Sequence, residues 1–116
     1  MQTYDIPAHV RGDTWGGLLL SVRTGTGEEV APPAVALSAV RMQVRDRPDG
    51  RVLLELTSAA DGGISFDAAA WDIEISRRVV DIAPGHHYYD IETTDAEGTI
   101  KTYLSGRWLI HRDVTR

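Results

Sequence analysis

Hydrophobic and polar positions alternate with a period of two along most of this chain, a spacing that predicts strands rather than helices. The clearest case is residues 35–47, where Val40, Met42 and Val44 fall on one face and Arg41, Gln43 and Arg45 on the other. One apolar and one wet face mark an antiparallel strand packed on a core from one side. Pro48-Asp49-Gly50 follows, with proline preset for the first corner of a turn and glycine free to take positive φ. Residues 51–57 then return with Val52, Leu54 and Leu56 on one face. The same grammar shapes residues 86–110, which read as a long antiparallel hairpin around the polar turn Thr94-Asp95-Ala96-Glu97-Gly98-Thr99. His87, Tyr89, Ile91 and Thr93 form one row, and Leu104, Gly106, Trp108 and Ile110 the other. This hairpin is expected to bury much of the aromatic bulk.

The remaining elements are shorter. Residues 2–10 alternate weakly and contain Pro7; proline gives no donor to a ladder, so this is an edge strand or leading arm. Arg11-Gly12-Asp13 makes a turn, and residues 14–23 form the next strand, with Gly16-Gly17 marking a bulge or a close backbone approach. Residues 24–33, with Gly25, Gly27, Glu28, Glu29 and Pro32-Pro33, are a loop. After a polar turn at 58–63 come a short strand at 64–66 and a corner at 67–70, read as one helical turn. A strand follows in which Trp71, Ile73 and Ile75 alternate with Asp72, Glu74 and Ser76. Ser76 suits an N-cap, so residues 76–82 are expected to form a short helical turn ending at Pro84-Gly85. About seven to eight short strands at intervals of roughly ten to fifteen residues, with no helix of ten or more, predict an all-β fold: an immunoglobulin-like antiparallel β-sandwich, with a small β-barrel as the alternative.

Composition narrows the picture further. The 116 residues suit a single domain spanning 1–116, and 42% hydrophobic with 25% charged content is ordinary for a globular chain. There is no cysteine, hence no disulfide framework and no cysteine zinc site. The net charge of −5 argues against a nucleic-acid partner, which would call for a basic patch. The first residues lack the basic and apolar regions of a signal peptide, and Leu18-Leu19-Leu20 is far too short to span a bilayer. The expectation is a chain made in the cytoplasm with no membrane contact.

No arrangement demands catalysis or a cofactor. His86 and His87 are adjacent on a strand and point to opposite faces, so they would not share an ion with each other, and neither His9 nor His111 supplies a ligand spacing. The acids Asp72 with Glu74, and Asp90 with Glu92, each share a strand face, which a solvated sheet explains better than a glycosidase pair. Asp90, after Tyr88-Tyr89, is the more interesting carboxylate, expected to bond backbone or a neighbouring arginine. No Gly-x-Ser-x-Gly elbow or phosphate loop is present. Arg11-Gly12-Asp13 matches the tripeptide read by integrins, but a turn calls for glycine there in any case. Trp71 and Trp108 sit in aliphatic rows and belong to the core, whereas Tyr103 shares a parity with Lys101 and Arg107 and is expected to be exposed.

The order of the segments resembles a family of small β-sandwich proteins of tailed bacteriophages and prophages, similar to the N-terminal domain of phage baseplate upper proteins and to related minor virion proteins. The stretches that carry the resemblance are residues 10–15, VRGDTW; residues 40–45, VRMQVR, with Pro48-Asp49-Gly50 and residues 52–56, VLLEL; and Ala83-Pro84-Gly85 leading into Tyr89-Asp90-Ile91-Glu92. The turn at 94–99 and Leu104-Ser105-Gly106-Arg107-Trp108 before Val114-Thr115-Arg116 complete it. The segment before Ala83 is more apolar and basic than the family pattern, and the 25–33 loop is longer. The resemblance implies a non-enzymatic assembly role in a tail, baseplate or head-tail connector, as a virion component that contacts other phage structural subunits and forms a homo-oligomer in the particle. Candidate contact residues are Pro7 on the edge, Gly25, Glu28, Glu29 and Pro32 in the loop, and Tyr103. The alternative is a glycan-binding module at a cell surface, with Tyr103 and Tyr88 as the first stacking candidates.

Overall fold

A computed structural model describes residues 2–25 and 29–113. The chain is all-β, and no α-helix occurs among the described residues. Among the described residues eleven strands follow in order: β1 Gln2–Thr3, β2 Ile6–Val10, β3 Thr14–Trp15, β4 Leu18–Ser21, β5 Leu37–Arg45, β6 Val52–Thr57, β7 Ile64–Asp67, β8 Asp72–Ile75, β9 Arg78–Val79, β10 Gly85–Asp95 and β11 Ile100–His111. Three of them are two-residue pairings, which leaves eight strands of four residues or more.

The strands form a sandwich. The large sheet runs β1-β11-β10-β5-β6, and β2 also lies against β11. The opposite layer holds the three-stranded sheet β4-β8-β7 and the short pair β3-β9. Both layers feed one core: Val40, Met42, Val44, Ile91, Trp108 and Ile110 from the large sheet meet Trp15, Ile64, Trp71, Ile73, Ile75 and Val80 from the other layer. At its centre the Trp15 and Trp108 rings lie 4.7 Å apart between centroids. The rows anticipated on the closing hairpin are in place. His87, Tyr89, Ile91 and Thr93 are all buried, as are Leu104, Trp108 and Ile110. The turn is fastened by Asp95, whose Oδ1 accepts the N–H groups of Glu97 (2.9 Å) and Thr99 (3.0 Å), with Gly98 at a φ of +83°.

Three local expectations need correction. Residues 76–82 form no helical turn: Arg78–Val79 is strand β9, paired with Thr14–Trp15, and the Ser76 N–H goes to the Gly63 carbonyl. Val80 and Ile82 are both buried while Val79 and Asp81 are exposed, and that spacing of two is met only by extended backbone. Trp71 is not a strand residue. It ends the corner at φ +57°, with its N–H on the Asp67 carbonyl and its indole N–H on the Val35 carbonyl, so its ring reaches the core from a turn. The strand expected over 14–23 breaks at Gly16-Gly17 into β3 and β4. A Cβ at Gly17 would stand 2.1 Å from the Ile75 carbonyl oxygen, which is the close approach that the glycine pair signalled.

The segment at residues 2–10 is an edge, as Pro7 predicts, but it runs parallel to β11. Tyr4 fixes it: its N–H donates to the Ser105 carbonyl (2.9 Å), and its carbonyl accepts the Tyr89 hydroxyl at 2.5 Å. Burial pushes the Tyr89 phenol well above its ordinary range, so it stays protonated as the donor.

Candidate functional site

The outer face of the large sheet carries the main concentration of polar side chains. Three neighbouring strands present them in register. Tyr88 on β10 lies opposite Arg45 on β5 and Arg107 on β11, while Asp90 lies opposite Gln43 and Ser105. A third row places Glu92 between Arg41 and Thr102. Adjacent strands lie about 4.8 Å apart, so each row spans roughly 10 Å across the face.

The first two rows floor a concavity of about 460 Å³, rimmed by Thr3 and Asp5 on one side and Pro48 on the other. The rims have local causes. Asp5 stands there because its Oδ1 accepts the Arg107 N–H at 3.0 Å, in the short gap between β1 and β2. Pro48 stands there because the Gly50 N–H closes the turn on the Arg47 carbonyl at 2.8 Å.

Within the groove most polar groups are committed. Arg45 donates to the Gly50 carbonyl (2.9 Å) and to Gln43 Oε1 (2.6 Å), and Gln43 Nε2 donates to Glu55 Oε2 (2.6 Å). Beside the groove Arg41 pairs with Glu92 at 2.8 Å. The Arg107 guanidinium lies over the Tyr88 ring, 6.0 Å from its centroid. Asp90 differs from these. It is half-buried at the centre of the grid and accepts no hydrogen bond from the described residues, contrary to the expectation that it would bond backbone or an arginine. Burial pushes its carboxyl above the ordinary range and Glu92 adds to this, against the opposing pull of Arg45 and Arg41.

The residues singled out from sequence do not converge. Pro7 is exposed on β2, Gly25 and Glu29 are exposed, and Pro32 is half-buried in the loop; Glu28 lies outside the described residues. Tyr103 is not an exposed platform. It is half-buried, packs edge-on against Trp71 with centroids 5.8 Å apart, and lines a small depression with Gln2, Val22 and Arg23. The cause is a bulge. Ile91 pairs with Leu104 but Glu92 pairs with Thr102, so Tyr103 is skipped in the ladder and its parity no longer follows Arg107. Arg11 of the turn tripeptide is tied to Asp81 at 2.8 Å. His86 is exposed and His87 buried, on opposite faces as the strand requires, and His87 Nε2 meets the Ala83 carbonyl at 2.5 Å. Among the described residues no group of three or more His, Asp or Glu could hold a metal ion, and no helix is long and apolar enough to cross a membrane.

Sequence reasoning missed the groove as a unit. Gln43, Arg45 and Asp90 were legible as outward-facing, but bringing Ser105 and Arg107 beside Asp90 and Tyr88 depends on cross-strand register. No protein family, curated protein or solved structure matches this chain.

Proposed function

We propose that this chain is a non-catalytic assembly module of a bacteriophage or prophage particle, built on an immunoglobulin-like sandwich, and that it joins further copies of itself by extending the large sheet at β6. The strand order supports the immunoglobulin-like reading. In that fold strands B, E and D share one sheet and G, F, C and C′ the other, and the orders β4-β8-β7 and β11-β10-β5-β6 follow the same sequence. The phage context comes from the resemblance of the segments described above. In this reading the protein is made in the bacterial cytoplasm, is carried in the virion, uses no cofactor, and engages neither nucleic acid nor membrane.

The observation that carries the proposal is the open edge of β6. This six-residue strand has β5 as its sheet partner; its outer side is bridged at Thr57 by Gly63, which leaves the stretch up to Glu55 open, and its sequence VLLELT contains no proline or lysine to blunt that stretch. The other edge of the same sheet contains Pro7, which removes a donor, so the two edges are not equivalent. The phase of the β5–β6 ladder identifies the outward groups. Ser58 donates its N–H inward to the Val40 carbonyl, and Thr57 donates outward to the Gly62 carbonyl. By alternation the N–H and C=O of Glu55 point off the edge. Antiparallel pairing of two β6 strands about a two-fold axis would satisfy both copies at once. Amide hydrogen exchange at high and low protein concentration tests this: the Glu55 amide is protected when concentrated and exchanges freely when dilute. Free exchange at both concentrations removes the proposal.

A further inference from the structure

We infer that the groove at Tyr88, Asp90, Ser105 and Arg107 is a binding site for a neutral, hydroxyl-rich ligand of the saccharide class. The inference concerns the sheet's outer face and does not depend on pairing at β6. Three features of the groove converge on this chemistry.

The first is charge. Asp5 and Asp90 stand against Arg45 and Arg107, so the lining is balanced. A nucleic acid or other polyanion calls for excess positive charge, and a cation for excess negative charge. A balanced set of acceptors and donors matches a ligand that is itself uncharged and carries both.

The second is the state of Asp90. Asp90 is half-buried, lines the groove and accepts no hydrogen bond from the described residues, so its carboxylate oxygens are free to take a ligand's donors. Vicinal hydroxyls of a sugar are donors of the right kind, since both can reach the two oxygens of one carboxylate. The Ser105 hydroxyl sits directly opposite on β11 and the Arg107 guanidinium one row away, within the same reach.

The third is shape. Two rows of side chains, about 10 Å across and about 7 Å apart along the strands, present a shallow area of sugar-ring size. Tyr88, whose ring carries the Arg107 guanidinium over one face, leaves its other face for the C–H groups of such a ligand, and the rims at Asp5 and Pro48 bound the area on two sides.

The test is a screen of the full chain on an array of immobilised mono- and oligosaccharides. Each hit is then repeated by titration calorimetry and by amide chemical-shift mapping with its methyl glycoside. The expected result is saturable binding, with shifts at Tyr88, Asp90, Ser105 and Arg107. Affinity should fall about tenfold or more in Asp90→Ala and in Tyr88→Ala, as for loss of a charged hydrogen bond. It should be unchanged in Leu19→Ser, whose side chain is 76% exposed on the opposite sheet. Thermal melts of each variant separate lost binding from lost fold, and Asp90→Ala is expected to fold because no hydrogen bond is lost with it. Silence across the array overturns the inference. So does binding that Asp90→Ala and Tyr88→Ala leave intact, or binding confined to acidic polysaccharides and abolished by salt.

Discussion

Replacing Gly106 by alanine probes how the N-terminal segment is held. A Cβ built on Gly106 would lie 1.9 Å from the Tyr4 carbonyl oxygen and 2.7 Å from its carbon, whereas real contacts of this kind stay above 3.0 Å. The Tyr4 carbonyl must therefore retreat by about an ångström, because the atom in the way is backbone and cannot rotate aside. That retreat disrupts two hydrogen bonds, Tyr4 N–H to Ser105 O at 2.9 Å and the Tyr89 hydroxyl to Tyr4 O. At about 0.5–1.5 kcal/mol each the loss is about 1–3 kcal/mol. Removing a glycine from the unfolded chain returns about 0.4–1 kcal/mol, so the net expectation is a destabilisation centred on about 1.3 kcal/mol and no larger than about 2.6 kcal/mol. Urea unfolding at fixed protein concentration measures it, and amide exchange locates it: protection should fall at Tyr4 and Arg107 and persist at Met42 and Ile91 in the core. Tyr89→Phe removes one of the same bonds, so combining it with Gly106→Ala should give less than the sum of the two. A Gly106→Ala protein as stable as the parent, with Tyr4 still protected, would refute the close packing of this segment on β11.

Other expectations follow from the same reasoning. Asp95→Ala removes an acceptor for two turn N–H groups and should cost about 1–2 kcal/mol in denaturant unfolding, whereas Glu97→Ala should cost almost nothing. Tyr103→Ala should destabilise the fold through lost packing on Trp71, measurable as a lower melting temperature; an unchanged melt would restore the exposed reading of Tyr103. The two perturbed aspartates should behave oppositely with pH. Asp72 is held below its ordinary range by the Ser21 hydroxyl and then by Arg23. Its contribution is therefore present above the ordinary carboxylate range and lost as pH falls towards the depressed value, so Asp72→Asn lowers the melting temperature at neutral pH but not in strong acid. Asp90 is raised by burial. Its ionised form opposes folding at neutral pH, so Asp90→Asn raises the melting temperature there, and the difference disappears as pH falls through the raised value and the ordinary range.

Strand faces were legible in the sequence wherever the alternation was long. The buried rows of β5, β10 and β11 stand as the period of two predicts, because burying one face of a sheet fixes parity over many residues at once. The same rule failed at Tyr103, where a single bulge residue shifts parity and no local pattern announces it. It failed again at 76–82, where a suitable N-cap at Ser76 competed with the spacing of Val80 and Ile82. Tertiary burial of those two side chains decided the outcome. Gly16-Gly17 was informative because the absence of a Cβ has a direct spatial consequence at Ile75. The groove was legible only in pieces. Which residue of β11 stands beside Asp90 is a matter of register between strands, and the open edge at β6 emerges only once the sheet order is known.

Self-association through β6 stands or falls on the mass of the protein in solution. Light scattering on a size-exclusion column across a concentration series would compare the parent chain with Glu55→Pro. Proline at 55 removes the outward N–H and leaves the β5–β6 ladder intact, since the Glu55 donor takes no part in it. A discrete oligomer is expected for the parent and a folded monomer for Glu55→Pro. A parent chain that stays monomeric at every concentration, or an oligomer that Glu55→Pro leaves unchanged, would contradict it.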